Sequence, residues 1–306
     1  MHEEIISVTA ELIQEIVPPR VVSSKKGDNG IVLVIGGSGI YHGAPLLSTL
    51  AALRCGVDLV YTAVPKSNIV PTRSFSPNVI VLPLPTDKFT TRSAKQLIKI
   101  LPKKPDVVAI GMGMAIEKPE SLVYMVKELK KMGTKLLLDA SALIPEILEH
   151  ISGNTVITPH PGEYKRLFQK EKNYEEIINA KTTTTTIQER TSNVCKLARK
   201  YGITIILKGY DDIICNGVIK KEHQQSMAVI RRTTPAMTVG GCGDVLSGVV
   251  AGLFAKIQDA FSASVAAVYI SGMAADLAYQ RVGLHMVATD IIDELPNAIK
   301  PFDKIE

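Results

Sequence analysis

The sequence predicts an α/β fold with a mostly parallel central sheet and helices on both of its faces. Short apolar runs, typical of strands buried on both sides, alternate with helix-like segments along most of the 306 residues. The composition, 46% hydrophobic and 21% charged, is that of an ordinary globular protein. No linker, internal repeat or shift in composition divides the chain, so we expect residues 1–306 to form a single domain.

The elements follow one another in a regular order. An apolar run that stops at two glycines predicts the first buried strand at Ile31–Gly37, and a small-residue helix follows over Ala44–Cys55. Repeated strand–helix alternation then implies parallel strands joined by crossover helices. The further strands are predicted at Leu59–Val64, Val79–Leu82, Val107–Ile110, Lys135–Asp139, Val156–Thr158 and Thr204–Lys208. The helices between them are predicted at Arg92–Leu101, Glu120–Met132, Gly162–Phe168 and Gln188–Tyr201.

The pattern changes in the last third of the chain. The dipeptide Asn216-Gly217 lies between two short β-prone runs and predicts a β-hairpin turn. A strand ending near Arg231 then leads into a glycine-rich stretch, so the sheet is expected to have an antiparallel edge. The run Thr182–Thr186 is interpreted as a loop, with Thr186 and Glu189 as the capping box of the next helix. A functional role for the threonines is the alternative.

Composition also excludes several classes of function. The net charge of +5 is dispersed, and six Phe, nine Tyr and no Trp offer few surfaces for base stacking, which argues against nucleic-acid binding. No signal-peptide pattern opens the chain. The uncharged span Ala260–Ala275 is shorter than the roughly 20 residues that cross a bilayer, so it predicts a buried core helix. The four cysteines lack metal-type spacing and are interpreted as reduced thiols of a cytoplasmic protein.

The stretch Thr238–Gly248, TVGGCGDVLSG, is the strongest chemical signal in the chain. Glycines allow backbone N–H groups to approach an anion closely, and the start of a helix adds a partial positive charge. Asp244 therefore lies where a phosphate would bind, and the same field should keep it ionised. Taking a proton from an attacking hydroxyl would explain a carboxylate at such a place. The alternative is a glycine turn with Asp244 as a helix cap.

Polar residues and glycines also follow several predicted strands, where open α/β sheets bind ligands. Asp139 ends one apolar run, and His160 stands between two prolines near Glu163. Lys208 ends another apolar run and should reach toward an anion, although it could instead extend to solvent. The glycine turns at residues 36–45 and 111–114 could line a ligand or simply connect strands to helices. No GxxxxGK[ST] sequence is present, which disfavours a P-loop NTPase.

In chain order these segments resemble the ADP/ATP-dependent NAD(P)H-hydrate dehydratases of the ribokinase-like superfamily, a three-layer α/β/α fold. The resemblance covers residues 28–296 and is carried by IGGSGIYHGAPLLSTLAALRCGVDLV, IGMGM, LLLDASAL, TPHPGEYKRL, ILKG, GGCGDVLSGVVAGL and GLHMVATDIIDELP. It implies a cytoplasmic hydro-lyase for metabolite repair. Such an enzyme uses ADP or ATP to phosphorylate the hydroxyl of hydrated NADH or NADPH (the S epimer). The phosphate is then lost, and the reduced nicotinamide is restored.

The resemblance also assigns site residues. It implies that Asp244 is the catalytic base and that the hydrated dinucleotide contacts Ala44, Gly113, His160 and Asp244. Nucleotide phosphates and adenosine would contact Lys208, Gly209, Tyr210, Asp211, Asp212 and Gly243. The N–H groups of Gly241, Cys242 and Gly243 would form an anion hole. A Mg²⁺ ion is implied, with Glu163 as a partner through water.

Three positions depart from the family pattern. Cys242 replaces the usual Thr, Ser141 replaces the second Asp of DADAL, and Arg232-Thr233-Thr234 replaces a Gly-Asn step. The resemblance further implies a homo-oligomer, a tetramer, and a separate epimerase, since only about 27 residues precede the matching region. Two alternatives from other classes are a kinase for a small alcohol, such as a thiamine precursor, and a non-catalytic nucleotide-binding protein.

Overall fold

A nine-stranded sheet runs through the described part of the chain, residues 5–171, 186–218 and 226–306 of a computed structural model. The strand order is β3-β2-β1-β4-β5-β6-β7-β8-β9. Neighbouring strands are parallel from β3 to β7, whereas β8 and β9 are antiparallel. The strands are β1 Ile31–Ile35, β2 Leu59–Pro65, β3 Ile80–Leu84, β4 Val107–Ile110, β5 Lys135–Leu138, β6 Thr155–Ile157, β7 Thr204–Leu207, β8 Asp211–Asn216 and β9 Met227–Arg231.

Within the same described ranges, ten α-helices pack around this sheet. They are α1 Ala10–Ile16, α2 Gly43–Arg54, α3 Ile69–Phe75, α4 Thr91–Ile100, α5 Pro119–Lys131, α6 Pro161–Leu167, α7 Ile187–Tyr201, α8 Cys242–Lys256, α9 Ala260–Val282 and α10 Ala288–Ile299. The predicted parallel strands and the helices between them are confirmed to within one or two residues. Helices α3 and α10 were not predicted from the sequence.

The two faces of the sheet carry separate cores, because side chains alternate along each strand. In β1, Val32 and Val34 join the apolar cluster that contains helices α2, α8, α9 and α10. The intervening residues of β1 join the cluster on the other face, which contains α4, α5, α6 and α7. This is the three-layer α/β/α arrangement that the sequence predicts.

Helices α2 and α8 approach each other closely, and glycines permit it. A Cβ on Gly248 would lie 2.2 Å from the carbonyl oxygen of Ser48, and one on Gly252 would lie 2.6 Å from the Cβ of Cys55. Nearly every residue of α8 after its first turn is buried, as the apolar pattern on both of its faces predicts. The close packing fixes the first turn of α8, and with it Asp244, against α2.

Helix α9 is long and apolar enough to cross a membrane by length and composition. However, 67% of its most apolar window is buried inside the protein, and α9 forms part of the core beside α8 and α10. The prediction of a buried core helix over Ala260–Ala275 is confirmed.

Two predictions, one about the hairpin turn and one about the cysteines, are wrong. The hairpin turn is not at Asn216-Gly217, because β8 pairs Cys215 with Met227 and the Asn216 N–H donates to the carbonyl of Ser226. The connection is therefore longer than two residues, although the antiparallel edge itself is confirmed.

Of the predicted threonine loop, Thr182–Thr185 lie outside the described residues. The predicted capping box of Thr186 and Glu189 is present.

The second correction concerns the cysteines. Cys195 and Cys215 form a disulfide, with their Cα atoms 5.0 Å apart, so they are not the reduced thiols that the sequence analysis predicts. Helix α7 packs across β8 and brings the two residues together, which their spacing along the chain does not reveal. Cys55 and Cys242 are free thiols.

Candidate functional site

The carboxyl ends of neighbouring parallel strands bring the predicted site residues together. Asp139 follows β5, His160 follows β6 and Lys208 follows β7. The first turn of α8, which carries Asp244, begins at the same edge of the sheet. We call this region the carboxyl edge. Parallel strands place their carboxyl ends side by side, which explains why residues far apart in the sequence meet here.

A hydrogen-bonded chain of side chains connects β5, β7 and α8. The Nζ of Lys208 donates to Oδ1 of Asp139 over 2.9 Å, and the Oγ of Ser247 donates to Oδ2 of Asp139 over 2.7 Å. Both oxygens of the buried Asp139 carboxylate are therefore satisfied. A Cβ on Gly243 would lie 3.4 Å from the Lys208 ammonium, so that ammonium lies against the start of α8.

Lys208 is held as a cation by its neighbours. Burial by itself disfavours the charge, but the carboxylates of Asp139 and Glu163 outweigh it and raise the pKa of Lys208 above its usual value. Oε2 of Glu163 lies 3.9 Å from the ammonium. A permanently charged lysine at the start of a helix is suited to contact an anionic ligand.

Asp244 behaves differently from the prediction that the helix field keeps it ionised. Burial raises the pKa of the Asp244 carboxyl to about 7, and the negative charges of Asp139 and Glu163 add to the rise while Lys208 opposes it. Burial, together with the two nearby carboxylates, therefore outweighs the field of the helix start. A group whose pKa is close to neutrality can both accept and return a proton near pH 7, which suits a general base.

The backbone around Asp244 is fixed by α2. The Oγ of Ser48 donates to the carbonyl oxygen of Asp244 over 2.7 Å. Gly241, the N-cap of α8, has φ +95°, and a Cβ there would lie 2.7 Å from Leu47 and 2.9 Å from Ala288. Only glycine fits this tight turn. In the predicted anion hole, the N–H of Cys242 already donates a long 3.5 Å hydrogen bond to the carbonyl of Val239.

His160 and Glu163 hold each other at the start of α6. Nδ1 of His160 accepts from the N–H of Gly162 over 3.0 Å, and the N–H of His160 donates to Oε2 of Glu163 over 2.9 Å. This reciprocal cap fixes the imidazole, whose other nitrogen lies 3.5 Å from Oε1 of Glu163. His160 is exposed and Glu163 is buried, so only the imidazole is open to a ligand at this point.

The predicted nucleotide segment Lys208–Asp212 is a tight turn. The N–H of Gly209 donates to Oδ1 of Asp212 over 2.7 Å, and Nη2 of Arg232 lies 3.5 Å from the same oxygen. Buried Asp212 thus holds the turn closed rather than facing solvent. Tyr210 is exposed, with the guanidinium of Arg231 5.3 Å from its ring centre, and Arg231 also pairs with Asp211.

A cavity of about 360 Å³ joins several of these residues. It is bounded by His160, Lys208, Asp212 and Arg232 on the strand side, and by Cys242 and Gly243 on α8. Its lining also includes the apolar residues Val245, Leu246 and Val268. Such a combination of a few convergent charges and apolar lining residues is typical of ligand sites.

The remaining two predicted substrate residues lie together beside α2. A Cβ on Gly113, which has φ +62°, would lie 3.0 Å from Ala44 and 2.7 Å from Tyr41. Ala44 is one helical turn before Ser48, which hydrogen-bonds the backbone of Asp244. Ala44, Gly113, His160 and Asp244 therefore surround the carboxyl edge, although their contacts with a substrate stay a prediction.

The described residues contain no group of three or more His, Cys, Asp or Glu side chains that could hold a metal ion by themselves. Both oxygens of Asp139 are occupied by Lys208 and Ser247, and Oε2 of Glu163 is occupied by the His160 N–H. These residues fit a Mg²⁺ ion bound mainly by phosphate and water, with Glu163 acting through water, because Mg²⁺ keeps several of its waters.

Sequence reasoning missed two residues of the site. Ser247 and Ser48 are polar side chains on otherwise apolar, buried helices, and each hydrogen-bonds the carboxyl edge. A polar residue on an apolar helix face was the available signal.

Two of the departures from the family pattern have visible surroundings. Cys242 contributes a neutral thiol whose pKa is raised by burial. The hydroxyl of Thr233 donates a hydrogen bond to the carboxylate of Asp276.

A family model described as NAD(P)H-hydrate dehydratase matches residues 32–297. An ADP-dependent (S)-NAD(P)H-hydrate dehydratase of Nitrosopumilus maritimus is 46% identical over 300 residues, which cover 98% of each chain. A bifunctional NAD(P)H-hydrate repair enzyme of Pyrobaculum aerophilum is 37% identical, with 92% of this chain and 53% of that enzyme covered.

Solved structures share the fold. The ADP/ATP-dependent NAD(P)H-hydrate dehydratase of Bacillus subtilis, co-crystallised with ATP and Mg²⁺, superposes with a TM-score of 0.78 at 24% identity, covering 96% of this chain and 98% of that one. A hydroxyethylthiazole kinase of Pyrococcus horikoshii superposes less well, with a TM-score of 0.58 at 15% identity, covering 95% and 94%. Both likenesses concern the fold alone.

Proposed function

Because this chain belongs to the NAD(P)H-hydrate dehydratase family, we propose that it removes water from the S epimer of hydrated NADH or NADPH at the expense of ADP. The observation that carries the proposal is Asp244, a half-buried carboxyl with a pKa of about 7, placed at the glycine-rich start of α8 beside Lys208. A phosphate-binding helix start with a proton acceptor in its first turn fits phosphoryl transfer to a hydroxyl.

In the proposed reaction, Asp244 takes the proton of the substrate hydroxyl, and the hydroxyl oxygen attacks the terminal phosphorus of the nucleotide. The new O–P bond forms as the bond between that phosphorus and the leaving nucleotide oxygen breaks. The phosphate group then departs from the ring with the electrons of the C–O bond, and the neighbouring ring carbon loses a proton to water. The ring double bond of the reduced nicotinamide is restored, and phosphate is released.

The other residues at the carboxyl edge bind and orient. Lys208 offers a fixed positive charge to the phosphates because Asp139 holds its ammonium in place. Glycines at the α8 start let backbone N–H groups approach the transferred group, and Tyr210 is exposed beside the turn that would hold the adenosine. Ala44, Gly113 and His160 would position the hydrated ring near Asp244. Such positioning accounts for much of the catalysis in phosphoryl transfer.

We propose Mg²⁺ as the accompanying ion. Three carboxylates, those of Asp139, Glu163 and Asp244, surround the single ammonium of Lys208, and nucleotide phosphates would add further negative charge. A divalent cation neutralises the charge on a transferring phosphoryl group. Glu163 is the residue that would hold it, through water.

A kinase for a small alcohol is the second candidate function, since the carboxyl edge would phosphorylate a hydroxyl in either case. The kinase would stop at a phosphorylated alcohol, whereas the dehydratase returns reduced nicotinamide and free phosphate. A pure binding protein is disfavoured, because a carboxylate in a phosphate site would only weaken binding.

The test is incubation of the purified protein with hydrated NADH and Mg²⁺, with ADP or ATP added separately. The proposal expects the absorbance of reduced nicotinamide to return with the S epimer and to return faster with ADP. A thiamine-precursor alcohol in place of the hydrate should give no phosphorylated product. Phosphorylation of that alcohol without any recovery of reduced nicotinamide would establish the kinase instead.

Several further properties are proposed on the same basis. An S-specific enzyme would depend on a separate epimerase to use the R form of the hydrate. We also propose a cytoplasmic homotetramer, and light scattering that reports a monomer at micromolar concentration would refute the assembly.

A further inference from the structure

A second cleft lies at the opposite edge of the sheet from Asp244. Its walls include Gly30, directly before β1, and Asp106, directly before β4, so it lies at the amino ends of the parallel strands. The carboxyl-terminal ends of α2, α8 and α10 close its other side. Its volume is about 580 Å³, larger than that of the cavity beside Lys208. We call it the amino-edge cleft.

Positive charge exceeds negative charge among the residues that line this cleft. It has five basic side chains and three acidic ones: Arg20, Arg54, Lys256, Lys300 and Lys304 against Asp28, Asp106 and Asp303. Two of the acids already accept backbone hydrogen bonds, since Asp106 accepts from the N–H of Ile31 and Asp28 accepts from the N–H of Lys25. Arg20 pairs with Asp58 over 2.8 Å, and Nζ of Lys304 donates to the carbonyl of Gln14. Among the described residues, the cleft cations that an anion would find without an ion pair or hydrogen bond of their own are therefore Arg54, Lys256 and Lys300.

Lys256 is the cation at the centre of this argument. It is partly buried, and no described residue gives its Nζ a hydrogen bond or an ion pair. A Cβ on Gly56 would lie 3.7 Å from this ammonium, and Nη1 of Arg20 donates to the carbonyl of Gly56 over 3.3 Å. Arg20 already pairs with Oδ1 of Asp58 over 2.8 Å, so Lys256 is the cation beside Gly56 that lacks an ion pair. Burying a cation without a partner is unfavourable, so an anion beside Lys256 would be stabilising.

The other groups near Lys256 do not pair with it directly. The carboxylate of Asp303 favours the charge of Lys256 but lies beyond ion-pair distance in the described part of the chain. The carbonyls of Phe254 and Ile257 at the end of α8 accept from Nζ of Lys135, over 2.8 and 3.0 Å, so Lys135 already satisfies that helix terminus. The neighbouring Cys55 thiol cannot serve as a counter-ion, because burial raises its pKa to about 12 and it stays neutral.

We propose that the amino-edge cleft is a second binding site, for a small molecule that carries two or more phosphate groups. Phosphates match the site because each group brings more than one negative charge and several oxygens, which arginine and lysine bind well. The cleft is large enough for more than one phosphate group. This site is separate from the proposed catalytic edge and does not depend on the proposed reaction.

The test is calorimetric titration of pyrophosphate into the wild-type protein and into K256Q, K300Q and K99Q. Lys300 lines the cleft, whereas Lys99 is an exposed lysine of α4 outside it. We expect at least tenfold weaker binding of one pyrophosphate in K256Q, several-fold weaker binding in K300Q and no change in K99Q. Pyrophosphate bound at the carboxyl edge would be unaffected by these variants.

Equal isotherms for wild-type protein, K256Q and K300Q would overturn the proposal. Should K256Q fail to fold, K300Q decides, because Lys300 is exposed and lies at the mouth of the cleft. A citrate titration serves as the second arm. Citrate that binds the cleft as tightly as pyrophosphate would show a general anion site and contradict the phosphate class.

Discussion

The pKa values of largely buried lysines shift in opposite directions at the two edges of the sheet. At the carboxyl edge the ammonium of Lys208 lies 2.9 Å from Asp139, and nearby carboxylates raise its pKa despite burial. At the amino edge burial lowers the pKa of both Lys135 and Lys256, because Asp106 and Asp303, which oppose it, form no ion pair with either lysine in the described residues. The depth of burial alone does not decide the charge of a lysine. Carboxylates within ion-pair distance also matter, and at the carboxyl edge they add to the burial that raises the pKa of Asp244.

The comparison predicts that only the carboxyl edge depends on a divalent cation. A chelator should abolish dehydratase activity, and Mg²⁺ should restore it, because carboxylates and nucleotide phosphates together outnumber the cations there. The fold should persist, since the described residues contain no metal-ligand cluster that would stabilise it. Activity assays and circular dichroism in the same chelated sample check both halves. Full turnover in excess chelator would contradict the charge argument.

Asp244→Asn should remove the proton acceptor and leave the rest of the carboxyl edge in place. We expect kcat to fall about 10²–10⁴-fold, the usual contribution of a general base. Nucleotide affinity should persist, because losing a negative charge does not weaken phosphate binding. Steady-state kinetics and ADP titration measure the two effects. A variant with more than a tenth of the wild-type rate would rule out Asp244 as the base.

Replacing the two lysines in parallel tests the comparison directly. Lys208→Ala should weaken ADP binding about 10- to 100-fold, the range of one lost charge-assisted hydrogen bond, and weaken binding of the hydrated dinucleotide less. Lys135→Ala, at the amino edge, should leave ADP affinity unchanged although it removes two hydrogen bonds to α8. Calorimetric titration of both variants decides the matter. Unchanged ADP binding in the Lys208 variant would make that lysine structural.

The smallest expected effect is a shift in pH dependence. The base form of Asp244 forms as pH rises through its pKa of about 7, so kcat/KM should rise over that range. Asp139→Asn removes a negative charge that disfavours ionisation of Asp244, so this acidic limb should move lower by about one pH unit. Asp106→Asn, at the amino edge, is the matched control. A limb that stays in place in the Asp139 variant would show that burial alone sets the pKa.

Much of the fold was predictable because the parallel strands are continuous apolar runs bounded by glycine or polar residues. The meeting of the candidate site residues was also predictable, since Asp139, His160 and Lys208 each follow such a run and parallel strands align their carboxyl ends. Their roles in binding and catalysis stay predictions. Asp244 was recognisable from its glycine-rich helix start.

The features that the sequence did not predict depend on tertiary contacts. The pKa of Asp244 is set by burial and by Asp139, neither of which local sequence reveals. Ser48 and Ser247 acquire their roles only when α2 and α8 pack against the sheet. At the antiparallel edge, pairing of Cys215 with Met227 prevails over the local turn preference of Asn216-Gly217.

The most direct test of the account follows all products of a single reaction mixture. Wild-type protein, Mg²⁺, ADP and the S epimer of hydrated NADH are mixed, and reduced nicotinamide, free phosphate and AMP are measured together over time. The account predicts that the three appear in equal amounts, with no lasting phosphorylated hydrate. AMP that forms with a stable phosphate ester, without reduced nicotinamide, would contradict dehydration at this site and show that Asp244 serves a kinase.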